Sequence, residues 1–569
     1  MHATKVTDNR CTHQSHSGNI QVHENFAKKS FRYLIAILPF ALILLISTSY
    51  QQNDSELKNH TGSYFSPETR NSFSAYFQRR ELVIAGDTLN HHALLCIQGL
   101  YAENDYSPLW TDMHAAVNEL LSVIEHAREF GLEPENYNLI RLQQKFHEQQ
   151  KSEKSKASDF DFEFEVMLTD AALRFMINLH AGYVALDSSL FTEEWVGKVT
   201  AILKKGIYSG NLQAYMLSVE PDFAEYRKLR IANGQFVRSG ILTDQVPEIK
   251  YPTRDTVLLM RTIREALISL GYMDESSDPL QLTRALKSFQ LYHGLMADGK
   301  PGVNTIEALR KSRLFRYRVL ALNLDRMRKT QYPDSGLIYI NIPAYSLKVF
   351  EGKKVTGTFR VIVGNPSSPT PVMSGIMQTI VANPFWYVPK SIALNEILPK
   401  MIQDSSYLAK NGFSILDENY RPVNASKLDL KQLSASNFNY TFRQNRGLDN
   451  SLGQVKFLFT NPHAVYIHDT PGKTLFNKDI RAFSHGCIRV ENPEKLAQYL
   501  LTSVNRDTVN FKRIIDSGRQ YEFPVSRPVQ VHITYITCEA DEGGSVYFYS
   551  DIYGKDKKDL EELGSYMGN

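Results

Sequence analysis

The sequence predicts a multidomain protein of the α+β class, with a helical N-terminal part and a β-rich C-terminal part. The chain has 569 residues, enough for about three or four domains of ordinary size. Apolar residues recur at three- and four-residue spacing in AAVNELLSVIEHAREFGL and FEVMLTDAALRFMINLHAGYV, which indicates amphipathic helices. Past residue 335 the period becomes two, as in GLIYINIPAYSLKVFEG, which indicates strands.

An apolar run from Tyr33 to Ile46 predicts an export segment near the N-terminus. Lys28, Lys29 and Arg32 precede it, as in the positive-inside pattern of membrane segments. The run ends near residue 50, at the short end of the roughly 17–25 residues that span a bilayer. A retained anchor is favoured over a cleaved signal peptide, because no Ala-x-Ala site follows and the leader is long. We expect a cytoplasmic segment at 1–32, a signal anchor or signal peptide at 33–49 and a linker at 50–74.

Charge and cysteine content exclude two classes of protein. The formal net charge is +3, with 64 Lys and Arg against 61 Asp and Glu, and no long basic run provides a nucleic-acid footprint. Four cysteines in so long a chain are too few for a disulfide scaffold. An anchor would leave Cys11 on the cytoplasmic side and Cys96, Cys487 and Cys538 outside, so at least one exported thiol is unpaired.

The helical part divides into two predicted domains. Residues 75–250 form a helical scaffold domain in which we find no catalytic constellation. Residues 251–320 contain three short helices joined by Gly and Asp turns, and resemble a small three-helix peptidoglycan-binding domain. The residues that carry this resemblance are Leu270, Gly271, Tyr272, Ala285, Phe289, Gln290, His293, Gly294, Leu295, Asp298, Gly299, Gly302, Thr305 and Leu309. The leucines, Phe289 and the glycines also suit a core and its turns, so glycan binding by this domain stays open.

The β-rich part is predicted to form one catalytic domain over residues 335–545. Alternating runs such as KKVTGTFRVIVG and IMQTIVANPFWYVP supply its strands. A more helical and loop-like insertion at 402–445 interrupts them and is expected to cap a site.

Cys487 is the candidate nucleophile of this domain. His468 ends an apolar strand nineteen residues earlier, and a histidine on an adjacent strand can act as the base that a thiol needs near neutral pH. The turn at Gly486 is expected to point the main-chain N–H groups of Gly486 and Cys487 at one spot, where they would stabilise an oxyanion. Two other interpretations are a buried, inert cysteine and a zinc site made by His468, His485 and Cys487. No C-x-x-C or H-E-x-x-H motif supports zinc.

The segment IHDT…SHGCIRVENP resembles the motif of the L,D-transpeptidases with the YkuD-type catalytic fold. The resemblance extends over NIPAYSLKVF, RVIVGNPSSPTP, NPFWYVPKSI, RQNRGLDNSLGQVKFLFTN and DIYG. The order of export segment, scaffold, peptidoglycan-binding module and capped catalytic domain is similar to the large YcbB-like members of Gram-negative bacteria. One departure is RQNRG, where related enzymes usually have a proline before the glycine.

The resemblance implies a role for each motif residue. Cys487 is the nucleophile and His468 the general base, and four residues complete the motif around them: Ser484, His485, Gly486 and Arg489. The implied reaction is acyl transfer between peptidoglycan stem tetrapeptides through a thioester, with release of D-alanine and formation of three-to-three cross-links. No metal or organic cofactor is expected.

The implied partners are peptidoglycan stems and glycan, with carbapenems as inhibitors, and the implied location is the periplasm at an inner-membrane tether. Two alternatives remain, an L,D-carboxypeptidase with the same site and a non-catalytic peptidoglycan-binding scaffold.

Overall fold

The computed structural model describes most of the chain beyond the predicted linker. The described residues are 67–77, 83–84, 87–88, 91–151, 161–183, 192–276, 278–330, 332–333, 336–434, 436–504 and 509–566. The predicted segments 1–32 and 33–49, with Cys11, lie outside these ranges. Within them, no helix combines the length and apolar character needed to cross a bilayer.

The first domain is helical, as predicted. Its helices are α1 Pro67–Phe77, α2 His91–Glu103, α3 His114–Glu125, α4 Leu139–Lys151, α5 Phe162–Ala181, α6 Glu193–Ser209, α7 Leu212–Leu217 and α8 Ala224–Arg238, with 3₁₀ turns at Ala127–Phe130 and Pro134–Tyr137 and a short hairpin of β1 Val83–Ile84 and β2 Asp87–Thr88. Two of these helices, α5 and α6, begin with a side-chain cap. Asp161 accepts a hydrogen bond from the Phe164 amide, and Thr192 accepts one from the Trp195 amide. Helix α5 is buried along almost its whole length and forms the centre of the domain.

Three further helices form the small module: α9 Thr256–Ser269, α10 Pro279–Tyr292 and α11 Val303–Leu309. Gln290 holds its Asp-Gly turn closed, because its amide nitrogen donates to Asp298 (3.1 Å) and its oxygen accepts from the Gly299 amide (2.8 Å). His293 stacks on Phe548 of the C-terminal region at 5.4 Å and contacts Arg316 at 2.7 Å. The module is therefore docked on its neighbours through residues of its own motif.

Helix α12, Arg313–Arg328, starts inside the range predicted for the small module but packs elsewhere. It is buried on nearly every side. Asp325 accepts a hydrogen bond from the Tyr183 amide of the scaffold (2.6 Å), and Asn323 bonds with Thr537 of the C-terminal region. The helix therefore joins the scaffold to the catalytic domain.

The catalytic domain is built on a ten-stranded sheet in the order β11-β12-β14-β5-β4-β3-β16-β6-β15, with β13 on β5. Because β11 also pairs with β6, the sheet closes into a barrel. The strands are β3 Leu337–Asn341, β4 Ser346–Glu351, β5 Lys354–Gly364, β6 Met373–Ala382, β11 Val455–Phe459, β12 Ile467–His468, β13 Ala482–Ser484, β14 Ile488–Val490, β15 Tyr521–Pro524 and β16 Gln530–Thr534.

A separate four-stranded sheet forms the insertion, in the order β7-β10-β8-β9. Its strands are β7 Trp386–Tyr387, β8 Phe413–Leu416, β9 Pro422–Val423 and β10 Thr441–Gln444. The cap, as we call residues 386–444, thus starts before the predicted residue 402, because β7 pairs with β10. Between β7 and β8 lie α13 Lys390–Ile392, a π-helical turn Ala393–Ile397, α14 Leu398–Gln403 and α15 Tyr407–Lys410, and 3₁₀ turns at Ala425–Lys427 and Leu430–Gln432 follow β9.

The remaining elements complete the domain. They are α16 Pro493–Tyr499, a π-helical turn Leu500–Val504, α17 Phe511–Asp516, β17 Cys538–Ala540, β18 Val546–Phe548 and α18 Lys555–Tyr566. Arg326 of α12 forms ion pairs with Asp556 and Asp559 of α18, both at 2.7 Å. The predicted fold class, a multidomain α+β protein with a β-rich catalytic part, is confirmed.

We expect Asn323→Ala to lower the free energy of unfolding by about 1–3 kcal/mol, because it leaves the buried Thr537 amide without its acceptor. Urea unfolding followed by circular dichroism measures the effect. Asn118→Ala is the matched control, since that exposed side chain bonds only one turn back to His114, and its change should stay within about 0.5 kcal/mol. Equal losses in the two variants would contradict the linking role of Asn323.

Candidate active site

Cys487 lies in the bend between β13 and β14, at the edge of the barrel. It is partly buried, whereas Cys96 and Cys538 are fully buried. Burial raises the pKa of both other thiols, that of Cys96 to about 11. Of the described cysteines, Cys487 alone is open to a reagent.

The strand register places five polar side chains on one face of the sheet. Lys456 of β11 is paired with His468 of β12, and His468 with Arg489 of β14. Side chains two residues apart on a strand share a face, so Tyr466 and Cys487 form a second row beside the first. Residues between them, such as Ile467 and Ile488, point the other way into the core. We call this set the polar face: Lys456, Tyr466, His468, Cys487 and Arg489.

Tyr466 is the immediate partner of the thiol. Its main chain and its hydroxyl both lower the pKa of the Cys487 thiol. Burial acts first and raises that pKa above its ordinary value, while Tyr466 and the charges of Lys456 and Arg489 lower it. Burial prevails, so the resting site holds a neutral thiol.

His468 is buried and its pKa is lowered to about 3, first by burial and then by the charges of Arg489 and Lys456. Its Nδ1 lies 2.5 Å from the main-chain oxygen of Asp469, and the main chains of Asp469 and Leu452 act in the opposite direction and raise the pKa. The imidazole is therefore neutral at physiological pH, the form that a general base requires. No hydrogen bond joins it to Cys487 among the described residues, and such bonds are often long before substrate binds.

The bend itself is held by Ser484, which is buried. Its hydroxyl donates to the carbonyl of Cys487 (2.5 Å) and accepts from the Gly486 amide (3.3 Å). The expected pairing of the Gly486 and Cys487 amides at one spot is thus not found, because the Gly486 amide is turned toward Ser484. Within the described part of the chain, the Cys487 amide has no main-chain acceptor, so it is the donor that remains for an oxyanion. Gly486 has φ +103, a conformation that favours glycine.

Two residues that sequence reasoning did not single out fix the same bend from outside. Thr370 donates to the Gly486 carbonyl (2.8 Å) and accepts from the Gly364 amide (2.8 Å). Tyr553 donates to the Gly364 carbonyl (2.6 Å) and accepts from the Thr370 amide (3.1 Å). Both lie in stretches that carry the resemblance, RVIVGNPSSPTP and DIYG, but only the fold shows that these stretches meet at Gly486.

The cap contacts the site at two points. Nε2 of His485 lies 2.8 Å from a carboxylate oxygen of Glu396 in the π-helical turn of the cap, and both side chains are about half exposed. Trp386 in the first strand of the cap lowers the pKa of the Tyr466 hydroxyl. His485 therefore faces the cap, whereas His468 and Cys487 belong to the polar face. Within the described ranges, no three His, Cys, Asp or Glu side chains cluster as metal ligands would.

Arg489 completes the row on the far side of His468. Burial lowers its pKa, and the thiol of Cys487 raises it. Its Nε is buried without a hydrogen-bond partner. The segment RQNRG, which departs from the family pattern, begins with the last two residues of β10 and ends at Gly447, whose φ is 141.

Comparison with known families agrees with this geometry. Residues 335–531 match the L,D-transpeptidase catalytic domain of the YkuD family, and residues 96–232 match a scaffold domain. Residues 259–309 match a family described as "Putative peptidoglycan binding domain". The family resemblance carried by the SHGC motif is confirmed.

One relative and one solved structure accompany these matches. A Haemophilus influenzae protein named "Putative L,D-transpeptidase" is 34% identical over 239 residues, which cover 42% of this chain and 48% of the relative. The chain therefore spans about half the length of that relative. The crystal structure of Mycobacterium tuberculosis L,D-transpeptidase 1 is 16% identical, with a TM-score of 0.15, over 35% of this chain and 62% of the other. Residues 335–531 match the L,D-transpeptidase catalytic domain of the YkuD family, on the same chain as the matches to a scaffold domain and to the peptidoglycan-binding family.

Proposed function

We propose that this protein is a cysteine-dependent L,D-transpeptidase that forms three-to-three cross-links between peptidoglycan stem peptides. The observation that carries the proposal is the polar face. On this face, the accessible Cys487 lies in the row of side chains next to that of the neutral His468. Both residues belong to the region that matches the YkuD catalytic domain. A peptidoglycan-binding domain on the same chain supports the wall as the substrate.

The residues divide the reaction into two acyl transfers. His468 takes the proton of Cys487 as the sulfur attacks the carbonyl carbon of the third stem residue. The Cys487 amide faces the oxyanion of the tetrahedral intermediate. The intermediate collapses to a thioester, and the amine of D-alanine leaves with the proton from His468. The side-chain amine of a neighbouring stem then attacks the thioester, transfers its proton to His468 and restores the thiol.

A thioester suits the location that we propose, the periplasmic side of the inner membrane. The energy of the cleaved peptide bond is kept in the thioester, so cross-linking needs no ATP. The apolar run at residues 33–49 would tether the enzyme there.

Incubation with muropeptides that carry tetrapeptide stems tests the reaction. We expect dimers joined through two third residues, together with free D-alanine, both detected by mass spectrometry. Cys487→Ala should form neither, because it lacks the nucleophile, while Cys96→Ala should retain activity where it folds. Trimmed monomers without dimers at any acceptor concentration would instead indicate an L,D-carboxypeptidase. Absence of both products would indicate a non-catalytic wall-binding protein.

Carbapenems should acylate Cys487 and no other described cysteine, since Cys96 and Cys538 are fully buried. Intact-protein and peptide mass spectrometry measure the single adduct. His468→Ala should slow its formation by about two to four orders of magnitude, the usual contribution of a positioned general base.

The control for that variant is His463→Ala, which removes an exposed histidine from the loop before β12. It should acylate at the wild-type rate. An adduct on Cys96 or Cys538, or undiminished acylation of His468→Ala, would contradict the assigned thiol or base.

A further inference from the structure

Lys456 lies on the polar face although it belongs to no catalytic motif. We propose that its ammonium group, together with Arg489, stabilises the Cys487 thiolate, so that these two cations rather than a protonated His468 act as its counter-charge. The proposal rests on the proposed function only in taking Cys487 as the nucleophile. It makes Lys456 a positioning residue that acts on the thiol through charge.

The first support is geometric. Lys456 is paired directly with His468 across β11 and β12, and directly paired side chains share a face. Its Nζ lies 4.0 Å from the centre of the Tyr466 ring, a distance at which the ring face attracts a cation. Tyr466 lies beside Cys487, because its carbonyl accepts a hydrogen bond from the next residue, Ile488 (3.1 Å), and its hydroxyl lowers the pKa of the thiol. Lys456 is thus directed toward the thiol rather than toward solvent.

The second support is that Lys456 lacks a closer counter-ion. In the described part of the chain, Lys456 forms no ion pair, and Glu522 is the carboxylate whose charge acts on its ammonium group. The acid that faces it is Glu522 of β15, two strands away, because Lys456 and Glu522 both pair with Val381. Burial lowers the pKa of Lys456, whereas Cys487 and Glu522 raise it. An ammonium group in this position is best compensated by an anion that forms at Cys487.

The third support is the position of His468 between two cations. Lys456 pairs with it on one side and Arg489 on the other, so a proton on the imidazole would add a third positive charge to one row. Burial of the ring opposes that charge further. A resting thiolate–imidazolium pair is therefore disfavoured, and His468 accepts the thiol proton only during the reaction.

The remaining charged groups near the thiol do not provide a better counter-charge. Burial and the adjacent thiol raise the pKa of Tyr466, so its hydroxyl stays protonated and acts as a donor. His485 is already paired with Glu396 of the cap. Lys456 and Arg489 are thus the cations whose charges lower the pKa of Cys487.

Alkylation of Cys487 by iodoacetamide tests the proposal without any substrate, because the rate follows the thiolate fraction. The full chain with Cys11→Ser is labelled between about pH 7 and pH 9, and peptide mass spectrometry follows Cys487 alone. While the thiol is mostly protonated, the alkylation rate rises tenfold per pH unit, so the logarithm of the rate plotted against pH is a straight line. A change in the pKa of the thiol displaces this whole line. Lys456→Met removes the charge and keeps an unbranched apolar side chain beside Tyr466.

We expect Lys456→Met to alkylate about threefold to tenfold more slowly than the parent at each pH, as a thiol pKa raised by about half to one unit requires. Lys456→Arg should restore the rate to within about twofold, because it restores the charge. Lys512→Met, an exposed lysine of α17, should match the parent. The alkylation rate should fall less in His468→Gln than in Lys456→Met, because a neutral imidazole contributes no charge. Thermal unfolding of each variant verifies that the fold is intact, and Lys456→Gln replaces Lys456→Met if the latter does not fold.

Two outcomes would overturn the proposal. One is a folded Lys456→Met or Lys456→Gln that alkylates within about twofold of the parent at every pH. The other is a larger loss in His468→Gln than in Lys456→Met, which would make imidazolium the counter-ion. Failure of the proposed function would be seen differently. A protein that forms no cross-links can still alkylate more slowly when Lys456 is replaced by Met. Cross-linking with no displacement would reject only the role of Lys456.

Discussion

The arrangement of the domains depends on helix α12, because its side chains satisfy polar groups in every domain around it. Arg316 contacts His293 of the small module, Asp325 accepts from the scaffold, and Asn323 bonds with Thr537. Most polar groups of a helix buried on nearly every side must find partners within the protein, since an unpaired buried group costs about as much as a lost hydrogen bond. Each contact therefore fixes the position of one neighbouring domain relative to the helix. The catalytic barrel and the scaffold are held together because both bond to this helix.

Within the barrel, burial and charge act in opposite directions on Cys487 but in the same direction on His468. Burial favours the neutral form of both Cys487 and His468. The cations beside them favour an anionic sulfur and oppose a protonated imidazole. A resting site with a thiol and a neutral imidazole follows, and it differs from a preformed ion pair in keeping the base free of its proton. The second row of the sheet matters as well as the motif, because Tyr466 lowers the pKa of the thiol beside it.

The sequence predicted the parts of the site that lie close together along the chain. The period of the apolar residues separated helices from strands, and SHGC with the preceding histidine indicated Cys487 and His468, which the barrel does place on one face. Contacts between distant segments were not predictable in this way. Thr370 and Tyr553 reach the site only because segments far apart in sequence become neighbours, and Lys456 reaches it through a strand register that the motif does not encode. The turn of the Gly486 amide toward Ser484 depends on local geometry that a motif does not encode. The early start of the cap has the same cause, since β7 is recognisable only through its pairing with β10.

The cap contributes to the surroundings of the thiol as well as lying beside it. Trp386 in its first strand lowers the pKa of the Tyr466 hydroxyl, and that hydroxyl in turn lowers the pKa of Cys487. Glu396 meets His485, the residue two positions before the thiol. Two elements of the cap thus reach the immediate neighbours of Cys487, so the cap and the bend that carries the thiol share their polar contacts.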